Sequence, residues 1–293
     1  MQGKIIKGVG GFYYVNTGDD TYECKAKGIF RNRKIKPVVG DDVIIDILDE
    51  DALTGNITDI LPRKNNIIRP MVSNVDQAAI VFALSNPRPN YNLLDRFIIM
   101  MDMQDVKTII CLNKSDLVLD EEACKIKEVY ESCGYDVIIT STLSFTDPGT
   151  LELTRLLKGK TTVFAGPSGV GKSSLLNALF SENKFRTGEI SEKIKRGRHT
   201  TRHSELVCVG EDTYIMDTPG FTSLYVEGID DTNLKDYYGE FGKYQPECRF
   251  NGCVHVNEPG CRVKKALEEG HIKQLRYDNY IQIYNELKEK RKW

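Results

Sequence analysis

The chain has 293 residues, of which 40% are hydrophobic and 28% are charged, and its formal net charge is only −2. This length suffices for two or three compact domains, and the composition excludes disordered and fibrous proteins. There is no long apolar run and no signal-peptide pattern, so we expect a cytoplasmic protein without a membrane anchor. Eight cysteines in such a protein favour free thiols or a metal site over disulfides.

The first 68 residues read as short β-strands separated by turns rich in glycine and aspartate. Five such strands without helical periodicity predict a small closed barrel of the oligonucleotide/oligosaccharide-binding (OB) type. We expect the strands at residues 3–9, 11–16, 21–28, 42–48 and 55–60. Tyr13, Tyr14, Phe30 and the basic run 31–36 are candidates to face nucleic acid. The alternative is that the rings belong to the core and the run is a solvated loop.

From residue 74 onwards, apolar strands alternate with amphipathic helices, which predicts a doubly wound parallel sheet. We expect strands at 76–84, 106–112, 136–140, 161–165, 205–209 and 213–216, and helices at 93–103, 121–133, 151–157 and 172–180. Beyond about residue 225 the strands cease, and a cysteine-rich segment precedes a long helix at 272–290. We therefore expect three domains, a barrel at 1–68, an α/β domain at 69–225 and a helical domain at 226–293.

A phosphate-binding loop follows the strand at 161–165 and opens the next helix, which is the context that its motif requires. Its glycines let backbone N–H groups turn towards the phosphates, Lys172 reaches the β- and γ-phosphates, and the Ser173 hydroxyl is a Mg²⁺ ligand. The residues that we expect to contact the nucleotide here are Gly166, Pro167, Ser168, Gly169, Val170, Gly171, Lys172, Ser173 and Ser174.

Asn113, Lys114 and Asp116 follow the strand at 106–112 in the pattern Asn-Lys-x-Asp. The Asp116 carboxylate can accept hydrogen bonds from the N1–H and 2-amino groups of guanine, whereas adenine offers neither donor and would leave it unpaired. Lys114 is expected to pack along the base and ribose, and Ser141 to contact guanine O6. These residues predict a site for a guanine nucleotide.

Asp217 and Gly220 belong to the segment Asp-Thr-Pro-Gly after the strand at 213–216. We expect the carboxylate near Mg²⁺ and the Gly220 N–H at the γ-phosphate; a plain turn is the alternative. In the basic stretch 184–203, Thr201 is expected to complete the Mg²⁺ ligands from a loop that the γ-phosphate orders.

The residue after Gly220 is Phe221, where many GTPases have a glutamine that orients the attacking water. A phenyl ring cannot do this. His199 is the candidate for that role, because an imidazole can hydrogen-bond water near neutral pH. The alternative is that His199 contacts RNA or solvent. The expected catalytic set is thus His199, Lys172 and Thr201.

The base-reading motif precedes the phosphate loop in the chain, which reverses the order of an ordinary GTPase. Both motifs are needed to hold one nucleotide. The order therefore indicates a circularly permuted GTPase domain with a further unit at each new end.

Cys248, Cys253, His255 and Cys261 place three thiols and an imidazole in one short segment. This set predicts a closed tetrahedral site for one structural Zn²⁺, and clustered free thiols are the alternative. The other cysteines fall in predicted strands or helices and are expected to be small core residues. They are Cys24, Cys111, Cys124, Cys133 and Cys208.

In their order along the chain, these motifs resemble the RsgA (YjeQ) family of circularly permuted GTPases, which act in biogenesis of the small ribosomal subunit. The resemblance covers essentially the whole chain and rests on residues 113–116, 166–173, 199–201, 217–220 and 248–261. It implies an N-terminal OB barrel, a permuted GTPase domain and a C-terminal zinc-binding helical domain. It also implies binding to the 30S subunit late in assembly, with hydrolysis stimulated by that subunit and coupled to release. The family's hydrophobic residue in place of glutamine matches Phe221, and its switch-loop histidine matches His199.

We therefore expect a Mg²⁺-dependent GTPase with one structural Zn²⁺, cytoplasmic and monomeric. It would dock on the 16S rRNA of the 30S subunit through its barrel, its basic switch loop and its basic C-terminal helix. One alternative is a GTP-gated RNA-binding module whose hydrolysis is too slow to matter, as Phe221 suggests. Another is an ATPase or kinase with a zinc module, against which Asp116 argues.

Overall fold

The computed structural model describes residues 1–28, 30, 35–68, 71–143, 147–180, 205–210, 212–217, 226 and 228–291. Its first five strands form a closed barrel in the order β1-β2-β3-β5-β4. Neighbouring strands pair antiparallel, except that β3 and β5 are parallel. This confirms the predicted OB-type barrel. The strands are β1 (Gln2–Val9), β2 (Phe12–Asn16), β3 (Thr21–Ala26), β4 (Asp42–Asp49) and β5 (Thr54–Ile60).

The interior of the barrel is filled by the inward-facing side of each strand, as the period of two along a strand requires. Ile5, Val15, Val43 and Ile57 are fully buried there. Phe30 is only 3% exposed in the same cluster. Its ring is therefore a core residue and is not available to stack on nucleic acid.

A short hairpin that the sequence did not predict connects the barrel to the next domain, formed by β6 (Asn66–Ile67) and β7 (Val72–Ser73). The fully buried Asp41 carboxylate accepts hydrogen bonds from residues of the hairpin and of the segment before it. Arg63 donates to that carboxylate from Nε at 2.6 Å and from Nη2 at 2.8 Å, and the Ser73 hydroxyl donates at 2.6 Å. A buried carboxylate is stable only when it is paired in this way.

The central sheet has six strands in the order β10-β9-β8-β11-β13-β12. All neighbours are parallel except β12 and β13, which are antiparallel because the two residues between them are too few for a crossover. The strands are β8 (Gln77–Ala83), β9 (Lys107–Asn113), β10 (Asp136–Ile139), β11 (Thr161–Ala165), β12 (Val207–Gly210) and β13 (Thr213–Asp217).

Helices cover both faces of this sheet, so it is doubly wound as predicted. One apolar cluster joins α1 and α2 to one face, and a second joins α3 and α4 to the other. The side chains of Asn90 and Asp147 cap the N-termini of α1 and α3. The helices are α1 (Tyr91–Asp102), α2 (Asp120–Glu131), α3 (Pro148–Leu157) and α4 (Lys172–Phe180).

The barrel packs against the antiparallel edge of the sheet. The Leu206 N–H donates to the Ile6 carbonyl at 2.8 Å, and the Tyr214 hydroxyl donates to Asn16 Oδ1 at 2.9 Å. An isolated bridge between Lys7 and Glu205 extends this contact. The edge that an open sheet would otherwise expose is thus covered.

The C-terminal part contains short 3₁₀ turns and two helices around a third apolar cluster. Its elements are the 3₁₀ helices Leu234–Tyr237, Gly239–Phe241 and Gln245–Glu247, then α5 (Arg262–Glu268) and α6 (Gln274–Lys290). Ile99 of α1 belongs to the same cluster, so this part packs against α1. No helix in the described ranges is long and apolar enough to span a membrane.

Candidate nucleotide and metal sites

Four of the predicted motifs meet at one edge of the central sheet. Asn113 ends β9, Ser141 follows β10, Gly166 follows β11 and Asp217 ends β13. These strands are parallel, so their carboxyl ends lie at the same edge, where α/β sheets bind ligands.

The phosphate loop depends on glycine backbone geometry. Gly166, Gly169 and Gly171 have φ of 142°, 80° and 93°, values that favour glycine. A Cβ on Gly166 would lie 2.1 Å from the Val81 carbonyl oxygen of β8. The loop is therefore tightly seated on the neighbouring strand.

Lys172 is folded back on the loop. Its ammonium donates to the carbonyls of Gly166 at 2.8 Å and Pro167 at 2.9 Å, and the residue is 9% exposed. Burial lowers the pKa of this amine, and the charge of Asp217 opposes that shift. The amine thus contacts the phosphate loop through two of its carbonyls.

Asp217 lies at the end of β13 beside the phosphate loop. Its surface is solvent-exposed, yet the surrounding protein desolvates the carboxyl and raises its pKa, while Lys172 lowers it. Ser173 and Ser174 are exposed in the first turn of α4. Their hydroxyls are therefore accessible to a metal ion or a phosphate at this helix N-terminus.

Asn113 joins the base-reading strand to the phosphate loop. Its Nδ2 donates to the Val170 carbonyl at 2.9 Å, and its Oδ1 accepts from the Thr140 hydroxyl at 3.0 Å. Lys114 adds a second connection, because its Nζ donates to the Gly169 carbonyl at 2.8 Å and also to the Asn86 carbonyl. Both side chains are therefore oriented before any nucleotide arrives.

Asp116 lies in a 3₁₀ helix, Ser115–Leu117, and is exposed at the sheet edge. Its Oδ1 accepts a hydrogen bond of 2.7 Å from the Ser141 hydroxyl. The structure thus brings these two predicted base contacts together. The Ser141 hydroxyl is engaged with Asp116, and a contact of Ser141 with guanine O6 stays a prediction.

Several residues that the sequence analysis singled out lie outside the described residues: 31–34 of the basic run, His199, Thr201, Gly220 and Phe221. Their roles remain predictions.

The four predicted metal ligands form one compact cluster. The ligand atoms of Cys248, Cys253, His255 and Cys261 all lie within 4.8 Å of one another. His255 Nδ1 is 3.8 Å from Cys248 Sγ and 3.4 Å from Cys261 Sγ. A tetrahedral Zn²⁺ with ordinary bond lengths separates its ligand atoms by roughly 3.5–3.8 Å. The cluster therefore fits a metal ion of this kind.

The electrostatics of the cluster also suit a cation. The backbone N–H groups of Arg262 and Lys264 donate to Cys248 Sγ at 3.4 Å and Cys261 Sγ at 3.5 Å. Burial raises the pKa of Cys253 to about 12 and lowers that of His255 to about 4. A bound cation would favour the thiolate, and a neutral imidazole is the form that ligates metals.

Glu258 organises the loop between the ligands, and sequence reasoning missed it. Its carboxylate accepts N–H donors from Val254 at 2.8 Å, Val256 at 2.9 Å and Asn257 at 3.0 Å. These bonds surround His255, whose φ of 60° lies in the left-handed region. A carboxylate two residues before Gly260 was the only signal for this role in the sequence.

A third feature is a groove on the barrel, with a volume of 610 Å³. Lys25, Lys27 and Lys36 line it together with the rings of Phe12 and Tyr13. The Lys25 ammonium lies 4.9 Å from the centroid of the Phe12 ring. Cations beside accessible rings are the chemistry that binds single-stranded nucleic acid.

Comparison with known proteins agrees with this geometry. Residues 60–227 match the RsgA GTPase family, and residues 2–55 match the RsgA N-terminal domain. The chain belongs to the RsgA family. The "Small ribosomal subunit biogenesis GTPase RsgA" of Agathobacter rectalis is 53% identical over 100% of both chains. The protein of that name from Alkaliphilus metalliredigens is 48% identical over 100% of this chain and 99% of its own.

Solved structures of RsgA-type proteins have the same overall fold. "YloQ, a circularly permuted GTPase" is 38% identical, with a TM-score of 0.79 over 99% of this chain and 95% of its own. YjeQ from Thermotoga maritima is 35% identical, with a TM-score of 0.81 over 98% of each chain. The permuted order inferred from the motifs is thereby confirmed. In this RsgA-family chain β8–β10 carry the base-reading half and β11–β13 the phosphate half.

Among the remaining cysteines, the expectation of core packing holds for two. Cys24 and Cys111 are buried, and Cys133 and Cys208 are partly buried. Cys124 is exposed, so the expectation is wrong for this residue. It lies on α2, whose outer face is solvated, and helix membership alone does not determine which face a residue occupies.

Proposed function

We propose that this chain is a Mg²⁺-dependent GTPase that binds the 30S ribosomal subunit late in its maturation and leaves after GTP is hydrolysed to GDP. The observation that carries the proposal is the bond from Asn113 to the Val170 carbonyl. It holds a guanine-reading segment and a phosphate loop in one site, within a chain that belongs to a GTPase family.

The chain's own residues divide the work of the reaction. Asp116 selects guanine, Lys172 neutralises charge that develops on the β- and γ-phosphates, and the loop N–H groups orient them. Ser173 and Thr201 are the proposed Mg²⁺ ligands; the ion would offset phosphate charge. Lys172 and Thr201 belong to the proposed catalytic set with His199, which would orient the attacking water in place of the usual glutamine.

The ribosomal part of the proposal rests on the names of the relatives and on the barrel groove. Two RsgA relatives are named small ribosomal subunit biogenesis GTPases. The lysines and rings of the groove suit 16S rRNA. We further propose a cytoplasmic monomer with domains at 1–68, 69–225 and 226–293, the last holding one structural Zn²⁺ on Cys248, Cys253, His255 and Cys261.

The decisive experiment measures GTP turnover by the full chain with and without purified 30S subunits. We expect strong acceleration by the subunits, and loss of that acceleration in His199→Ala. The association should weaken steeply as salt rises, because each phosphate that a lysine neutralises releases counterions. Absence of acceleration would favour a GTP-gated binding module instead, and a flat salt response would contradict docking on RNA.

A further inference from the structure

A buried carboxylate, Asp95 of α1, connects three helices of the molecule. It is fully buried, and Arg276 Nη1 of α6 lies 2.6 Å from its Oδ1. Asn279 Nδ2, also of α6, donates to its Oδ2 at 2.8 Å. The Tyr130 hydroxyl at the end of α2 donates to its Oδ1 at 3.0 Å. We call Asp95, Tyr130, Arg276 and Asn279 the Asp95 hub.

The same turn of α6 also holds the metal loop. The Tyr277 hydroxyl donates to the His255 carbonyl at 2.7 Å, and the Tyr280 hydroxyl donates to the Val254 carbonyl. Residues three apart lie on one face of a helix. One face of this turn therefore contacts the metal loop through Tyr277 and Tyr280, and the adjacent face contacts Asp95 through Arg276 and Asn279.

On the other side of the hub, α1 and α2 flank the base-reading segment. The chain runs from α1 (Tyr91–Asp102) through β9 to Asn113–Asp116, and then into α2 (Asp120–Glu131). Both helices pack with Leu112 of β9 in one apolar cluster. Asp116 therefore lies on a stretch of chain that begins at Asp95 and ends at Tyr130, and both of these residues belong to the hub.

The surroundings of Arg276 allow little movement. Its guanidinium is fully buried, pairs with Glu240 at 2.8 Å, and lies 4.5 Å from the Tyr238 ring centroid and 5.6 Å from that of Tyr130. A buried charged group loses much stabilisation when its partners shift. The hub therefore has one favoured arrangement, and a displacement of α6 must be followed by α1 and α2.

We propose that Asp95 is a positioning residue for the guanine-reading segment, and that through it the occupancy of the metal site sets the affinity for guanine nucleotide. A metal ion orders the loop that contains His255, the loop holds Tyr277 and Tyr280, and α6 in turn holds Asp95. The inference rests on the proposed nucleotide site. The inference connects the metal site of the C-terminal part with the segment that binds the guanine base.

The test uses thermodynamic reciprocity in the full-length chain. The Kd of a fluorescent GDP analogue is measured on Zn²⁺-loaded and chelator-stripped protein, and the affinity for Zn²⁺ is measured with and without saturating GDP. If the sites are coupled, the factor by which Zn²⁺ tightens GDP binding must equal the factor by which GDP tightens Zn²⁺ binding. We call this the coupling factor. We expect Zn²⁺ to tighten GDP binding by about fivefold or more, the lower end of usual couplings.

Variants that lack the hydrogen-bonding hydroxyls test whether the coupling passes through the Asp95 hub. Tyr130→Phe and the double variant Tyr277→Phe/Tyr280→Phe should reduce the factor towards one. Tyr284→Phe, one turn further along α6, is the matched control and should keep it. A purely structural role would lower the unfolding temperature and leave the factor unchanged.

Each outcome decides between the claims. No GDP binding to the loaded chain overturns the proposed nucleotide site itself. Tight GDP binding with a factor of one overturns only this inference. An unchanged factor in both hydroxyl variants shows that the coupling does not pass through Asp95, and this result also overturns the inference. If stripping unfolds the chain, the GDP Kd of the Zn²⁺-loaded variants replaces the factor: Tyr130→Phe should weaken GDP binding and Tyr284→Phe should not, and equal Kd values overturn the inference.

Discussion

The side-chain amide of Asn113 donates a hydrogen bond of 2.9 Å to the backbone carbonyl of Val170, although the two residues are 57 positions apart. The first residue ends β9 and the second lies in the phosphate loop. The positions of β9 and β11 in the sheet do not depend on which strand comes first in the chain. The contact therefore forms although the order of the motifs is reversed. It makes one nucleotide site from two halves.

Gly171→Ala should break this junction. The added Cβ would lie 2.4 Å from Asn113 Nδ2, at a φ of 93° that already disfavours a side chain. Lost hydrogen bonding and strain together should lower the free energy of unfolding by about 2 kcal/mol and weaken GDP binding at least roughly tenfold. Urea unfolding and nucleotide titration measure the two effects.

Gly134→Ala is a matched control, because Gly134 has a φ of 92° with no atom within 4 Å of the added Cβ. It should show the strain alone and bind GDP normally. Equal nucleotide affinity in the two variants would contradict the role of the Asn113 contact.

Asp116→Asn should change the base preference. Its carboxylate can accept from two guanine donors, and an amide cannot accept from both, whereas xanthine offers a carbonyl at that position. We expect GDP affinity to fall by about 3 kcal/mol, roughly a hundredfold, while affinity for xanthosine diphosphate rises. Competition titrations measure both. Asp120→Asn at the start of α2 serves as the control, and unchanged GDP affinity in Asp116→Asn would refute the assignment of the base site.

Metal removal should change the thiol reactivity of the chain. Cys124 is exposed and should react first with a thiol reagent, whereas burial raises the pKa of Cys24 to about 11 and that of Cys111 to about 12. Thiolates are the reactive form, so these two should stay protected. A strong chelator should add reactive thiols from the metal cluster, Cys248 first because it is the least buried of the three cysteines, counted by mass spectrometry on Cys124→Ser protein. Labelling that is unaffected by the chelator would contradict the metal site.

Asp102 should contribute a pH dependence to stability. Burial raises its pKa to about 6, although the carboxyl keeps contact with solvent and accepts a bond of 3.0 Å from Tyr135. The folded chain therefore binds this proton more tightly than the unfolded chain between about pH 4 and pH 6. The free energy of unfolding should fall as the pH rises through that window and stay level above it.

Asp102→Asn should remove this pH dependence, so the variant gains stability relative to the parent at pH 7 but not at pH 4. Solvent screening limits the gain to about 1 kcal/mol. Denaturant unfolding at the two pH values measures it, with Asp51→Asn as the exposed control. An identical pH response in parent and Asp102→Asn would show that the carboxyl is not desolvated.

The regular elements and the site motifs were predictable because their signals are local. The predicted strands and helices agree with the observed ones within three residues, since each has a strong period or lies beside a motif. The base-reading and phosphate motifs also carry their own context, a strand before and a helix after. The hairpin β6–β7 and the helix α5 are too short for periodicity to reveal.

Contacts between distant segments could not be predicted from the sequence. The bond from Asn279 to Asp95 spans 184 residues, and nothing in a lone aspartate on an amphipathic helix indicates that it will be buried. Phe30 shows the same limit, because an aromatic residue beside a basic run reads equally as a nucleic-acid contact or as core. Three-dimensional packing decides such cases, and a single sequence does not encode it locally.

The central position of β8 in the sheet has a consequence for synthesis of the chain. In the finished sheet β8 pairs with β9 on one side and with β11 on the other, with Gln77 opposite Lys107 and opposite Thr162. Because a chain grows from its N-terminus, β8, β9 and β10 leave the ribosome before β11 does. Until β11 arrives, β8 presents an unpaired apolar edge, and GTP has no phosphate loop with which to stabilise the nascent half. During this interval the unpaired edge of β8 is open to misassociation.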